Sequence, residues 1–173
     1  IFAANTVPGA DTIEFAPEMT ANGPARILLT QGELKITDSL TIDGPGAELI
    51  TIDASGNDPT PDLNNGDGSR VFHINDNINS VIINVSISGL SLTGGDLAAT
   101  SDNSGGAILS YEALAVSECS VANNFAGKGG AIANENGLLS VVRCVVTGNR
   151  AIQGGGIFSR TLQASSLSEN LVV

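Results

Sequence analysis

The chain has 173 residues, among them 21 glycines, five Phe, one Tyr and no Trp, and its net charge is −11. The length suffices for one domain with a buried core, but so little aromatic bulk excludes an irregular globule and points to thin, repetitive layers of Val, Ile, Leu and Ala. Residues 1–102 hold 14 acidic and 3 basic side chains while residues 103–173 hold four of each, an excess that repels phosphate backbones and anionic lipid and excludes nucleic acid and membrane surfaces as partners.

From its first residues the chain lacks an initiating Met, a basic start or an apolar run long enough to cross a bilayer, so an excised or processed fragment is expected. Short period-two runs then follow one another: Ile13-Glu14-Phe15, Leu34-Lys35-Ile36, Leu40-Thr41-Ile42, Ile50-Thr51-Ile52, Val71-Phe72-His73-Ile74 and Leu90-Ser91-Leu92. Alternation of this kind predicts strands with one buried face, and Asp43-Gly44-Pro45-Gly46, Asp53-Ala54-Ser55-Gly56 and Thr93-Gly94-Gly95-Asp96 supply the turns that close them. The stretch 53–70 carries four Asp, three Asn and two Pro and predicts a solvated loop bulging from one coil. Within it Asp62, Asn64 and Asp67 form an oxygen-rich set suited to a calcium ion, although the spacing misses the calcium-loop pattern by one residue and no Glu closes it. His73, the only histidine, alternates with Phe72 and is expected on the strand surface or as a satisfied structural side chain, with no nucleophile motif to complete a triad.

After residue 104 the chain repeats. Gly105-Gly106-Ala107-Ile108, Gly129-Gly130-Ala131-Ile132 and Gly154-Gly155-Gly156-Ile157 recur at a near-constant interval of roughly 25 residues, within the length class of solenoid repeats. In phase with them run Val121-x-x-Asn124 and Val146-x-x-Asn149, and Leu167-x-x-Asn170 opens a further unit. A unit of this length with two or three short strands is one coil of a β-solenoid, which buries its inward residues only against its neighbours. Residues 1–104 read as less regular acidic coils and 105–173 as regular coils of one continuous solenoid. Division by the repeat length predicts about seven coils and, at ~4.8 Å per coil, a rod of roughly 30 to 35 Å. The glycines are expected at corners that need positive φ or close backbone approach. Val121, Val146 and Leu167 should stack inward, and Asn124, Asn149 and Asn170 should line one corner as a ladder. Cys119 and Cys144 share a repeat position. In-register strands aim both Cβ vectors the same way, so a buried thiol pair is expected rather than a disulfide.

Gly-Gly-Ala-Ile with an upstream apolar-x-x-Asn resembles the repeat of the polymorphic outer membrane proteins, with Val121, Val146 and Leu167 where that family usually has Phe. The first part resembles the region just after the Cys-Ser-Leu-Arg-Glu-Ala motif that opens many large bacterial surface proteins. The matching residues are Ala3-Ala4-Asn5, Pro8-Gly9-Ala10-Asp11-Thr12-Ile13, Gly44-Pro45-Gly46-Ala47 and Ser88-Gly89-Leu90-x-Leu92-Thr93-Gly94-Gly95. The resemblance implies a right-handed, single-stranded parallel β-helix in a secreted or outer-membrane-associated cell-surface protein. There it would serve as a structural stalk or adhesin passenger, with glycans or a neighbouring cell surface as partner.

The same architecture hosts carbohydrate enzymes, which work with clustered carboxylates or with Ca²⁺ and a basic residue. Here the acids of the regular coils are Glu112, Glu118, Glu135 and Glu169, no two at equivalent positions of adjacent coils, and Arg143, Arg150 and Arg160 are scattered. The expectation is therefore no catalytic residue, no enzyme activity and no cofactor beyond a Ca²⁺ ion at Asp62, Asn64 and Asp67. A polysaccharide lyase or hydrolase fragment and a calcium-stabilised spacer are the alternatives. Self-association through exposed solenoid ends is also expected.

Overall fold

The computed structural model describes residues 1–78, 82–98, 103–160 and 166–172. They form a parallel β-solenoid whose strands stack into three long sheets. The first sheet takes Asp11–Glu14, Leu40–Asp43, Asn84–Ser88, Ala113–Ser117, Leu139–Val142 and Ser166–Ser168, in that order. Ala25–Leu28, Ile50–Asp53, Ser91–Thr93, Ser120–Ala122, Val145–Thr147 and Leu171–Val172 make the second. The third is built from Leu34–Ile36, Phe72–Ile74, Ile108–Ser110, Ile132–Asn134 and Ile157–Ser159. Phe125–Lys128 and Arg150–Gln153 add a short pair at one corner. Among the described residues no helix is long and apolar enough to cross a membrane.

The chain makes about six turns rather than seven, because the turns are unequal. Leu114 pairs with Leu139 and Val141 with Leu167, so each of these turns advances the chain by a single repeat. Leu40 pairs with Val85, almost twice as far along the chain. That long second turn contains the loop at 53–70, which uses most of a coil's residues without adding a coil.

The core consists of in-register columns. Ile42, Ile87, Val116 and Val141 stack in the first sheet, and Phe72, Ile108 and Ile132 in the third, all essentially sealed from solvent. In the second sheet Ile27, Ile52, Leu92, Val121 and Val146 form one inward column. Leu167 does not join it. The residue stacked on Val146 is Val172, and Leu167 sits in the first sheet on Val141. Spacing explains the difference: Leu167 follows Val146 too closely to complete a turn, while Val172 lies a full repeat beyond it.

The Asn ladder divides for the same reason. Asn124 and Asn149 share a corner, where Asn149 Oδ1 accepts from the Asn124 backbone N–H at 3.0 Å and from its side-chain amide at 2.9 Å. Asn170 instead continues the column of Cys119 and Cys144, accepting from the Cys144 N–H at 2.8 Å. Both cysteines are free and buried. Hydrogen bonding with Cys144, together with burial, pushes the Cys119 thiol up.

The paired glycines divide the labour at their corner. Gly105, Gly129 and Gly154 adopt φ of 68°, 55° and 60°, the left-handed region. Gly106 and Gly130 instead leave no room for a Cβ, which would collide with the carbonyl oxygens of Gly130 and Gly155 in the next coil.

Candidate functional site

Polar chemistry concentrates in three places off the coil core. The first is the loop of the long turn. Asp53 ends its strand by accepting the Ser55 N–H at 2.8 Å and pairs with Arg26 at 2.6 Å, which fixes the loop's entry. Asp58 accepts the Thr60 N–H at 2.8 Å, and Asp67 accepts from the Thr60 hydroxyl at 3.0 Å. Asp96 comes from the following turn and is 3% exposed; it takes the N–H groups of Asn65 and Gly66 at 3.2 and 3.0 Å. One oxygen from each of Asp58, Asp67 and Asp96 lies within 4.8 Å of the others. Burial, and then the charges of Asp67 and Asp96, raise the Asp58 pKa. Three carboxylate oxygens converging in this way are donors of the kind a hard divalent cation takes.

Of the set expected from sequence, only Asp67 belongs to this group. Asp62, outside the carboxylate group, and Asn64 stand exposed on the loop surface. Asp58 and Asp96 complete the carboxylate group with Asp67. The signal for Asp96 lay in the turn Thr93-Gly94-Gly95-Asp96, a neighbour across the coils rather than along the loop.

The second place is the outward face of the third sheet. His73 projects from Phe72–Ile74, opposite the buried Phe72, with its Nδ1 3.1 Å from Glu33 Oε1. Arg70, 9% exposed, reaches the other Glu33 oxygen at 3.0 Å, and Lys35 lies 3.9 Å away. The His73 hydrogen bond, helped by Arg70 and Lys35, holds the Glu33 carboxyl below its usual range. Tyr111 packs beside His73, ring centroids 6.2 Å apart. Glu33 thus ties His73 to Arg70 across two segments of the chain.

Next to Tyr111 opens the third place, a polar hollow of about 370 Å³ walled by Asn75, Asn77, Tyr111, Glu112 and Asn136, with Ile78 and Ile82 at its edge. Glu112 is 3% exposed, and its two oxygens accept the N–H groups of Asp76 and Ile83 at 3.3 and 3.2 Å. Burial, then the neighbouring Asp76 carboxyl, raises its pKa. Glu112 therefore clamps two backbone segments, one with each carboxylate oxygen.

The charged residues of the regular coils are organised by stacking. Arg143 lies between Glu118 and Glu169 at one corner and pairs with both, and Arg160 pairs with Glu135 at 3.1 Å. What looked scattered along the chain is partly a ladder across it. The chain matches no protein-family model, no curated protein and no solved structure.

Proposed function

We propose that this chain is a non-enzymatic module of a secreted or cell-surface protein, serving as a structural stalk or adhesin passenger. One observation carries the reading. The outward row of the first sheet, Thr41, Ser86, Ala115, Ser140 and Ser166, bears only small hydroxyl and methyl groups in register from coil to coil, and the carboxylates of that face, Glu14 and Asp43, are in register at the first two coils alone. A lyase or hydrolase of this architecture needs convergent acids or a cation-assisted base over such a face. The repeat resemblance to bacterial surface β-helix proteins supports the same reading.

The test is incubation of the purified chain with pectate and alginate, with and without Ca²⁺. No unsaturated or reducing sugar should be released. Release that disappears on Asp67→Asn would overturn the non-enzymatic reading and make the loop an active site.

A second reading, a calcium-stabilised spacer, is favoured by the approach of Asp58, Asp67 and Asp96 to within 4.8 Å. It is compatible with the first, since an ion there would tie the long loop to the next coil.

A further inference from the structure

We infer that the hollow beside Tyr111 is a binding site for a neutral saccharide. This rests on the adhesin reading above and gives it a site and a ligand class. The hollow, at about 370 Å³, lies within the size range of small-ligand pockets, roughly 300 to 1,000 Å³. It is also where the chain's only tyrosine stands, 37% exposed although the neighbouring strand residues are buried.

The wall chemistry selects the ligand. Asn75, which lines the hollow, spends its side-chain oxygen on the Asn77 N–H at 2.8 Å, so its NH₂ group is the donor it has to offer. The side-chain amides of Asn77 and Asn136 and the Tyr111 hydroxyl make no hydrogen bond to a described residue. Each amide offers a donor beside an acceptor, the pairing that matches a sugar hydroxyl, which both gives and takes a hydrogen bond. Ile78 and Ile82, 53% and 43% exposed, and the Tyr111 ring provide apolar surface for the C–H face of a pyranose.

Other ligand classes fit less well. An acidic sugar or phosphate would meet the carboxyl of Glu112 with no cation among the lining residues. A divalent cation would find one carboxylate, that of Glu112, among the lining residues, too few charged oxygen donors for a hard cation. A long apolar peptide has nowhere to lie in a short, predominantly polar hollow.

The experiment is a saturation-transfer NMR and glycan-array screen of the intact chain. It uses neutral oligosaccharides (glucan, mannan and galactan series), with oligogalacturonate as the acidic comparison and Ca²⁺ alone as the cation probe. Every solution is also assayed for sugar release. Tyr111→Ala and Asn136→Ala carry the test, because both side chains are exposed and their removal leaves the core columns intact; circular dichroism checks the fold. The expected result is binding of at least one neutral series, with affinity reduced about tenfold or more by Tyr111→Ala and less by Asn136→Ala. Binding that survives both substitutions would overturn this site while leaving an adhesive surface elsewhere. Binding of oligogalacturonate or Ca²⁺ alone, lost on Tyr111→Ala, would overturn the ligand class. No binding to any neutral series would overturn the inference and leave the stalk reading standing; sugar release would instead contradict the non-enzymatic reading itself.

Discussion

At the scale of single residues, stability rests on columns rather than on isolated contacts. Val146 is fully buried between Val121 below and Val172 above. Val146→Ala therefore opens a cavity that the two fixed neighbours cannot close, and it should cost about 1 to 3 kcal/mol. Urea denaturation reads this directly; an unchanged midpoint would contradict the packing. Sequence alternation was enough to place Val121 and Val146 in one column. It misplaced Leu167 and Asn170 because their spacing copies Val-x-x-Asn while their register belongs to Val141-x-x-Cys144. A motif read by residue type and not by distance cannot tell the two corners apart.

The Glu33 clasp gives a second prediction at this scale. Glu33 has a folded pKa below its unfolded value, chiefly through the His73 hydrogen bond. Such a carboxylate contributes stability that is fully present above the unfolded pKa, about 4.3, and is lost as pH falls through the folded value. His73→Gln should thus destabilise the protein at pH 6, and the gap between variant and parent should narrow as the pH is taken below 4. A gap that stays constant across that range would show that the pairing carries no linked protonation.

Among elements, the loop of the long turn is where reading along the chain and reading across the coils diverge most. Its existence and its acidity were legible, since four Asp and two Pro in so short a stretch disfavour a strand. Asp96 was not, because it lies more than a full repeat beyond Asp67 and approaches only once the turns are stacked. The Asp58 pKa is raised, so the fold penalises its ionised form, and stability at this group increases as pH falls from neutral through that raised value. A bound cation acts in the opposite sense, by favouring the ionised group. At pH 7, millimolar Ca²⁺ should raise the melting temperature, and Asp67→Asn should remove most of that increment. Equal melting curves with Ca²⁺ and with chelator would exclude the spacer reading.

For the whole molecule, the first and last described coils differ. At the first coil Ala4 is buried, and the Asn5 side chain donates to the Lys35 carbonyl at 2.8 Å and accepts the Thr37 N–H at 2.9 Å, closing one sheet edge. At the last coil Ile152, Leu167, Leu171 and Val172 are each more than half exposed beside strand edges. An apolar surface next to an open edge favours association with a second copy. Light scattering should show an apparent mass that rises with protein concentration, and Leu171→Lys should suppress the rise. A strict monomer at high concentration would contradict it.

Everything above depends on coils stacked in register. The outward residues Thr12, Thr41, Ser86, Ala115, Ser140 and Ser166 face one another in successive coils, so five steps of ~4.8 Å separate Thr12 from Ser166, about 24 Å in all. Spin labels placed at these two positions in a variant with Cys119 and Cys144 changed to Ala measure that span by pulsed electron paramagnetic resonance. Coils stacked in register should give a single narrow distance distribution centred on that span and widened only by the label arms. A broad distribution, or one centred well beyond the reach of the two arms, would mean that the coils do not stack as described.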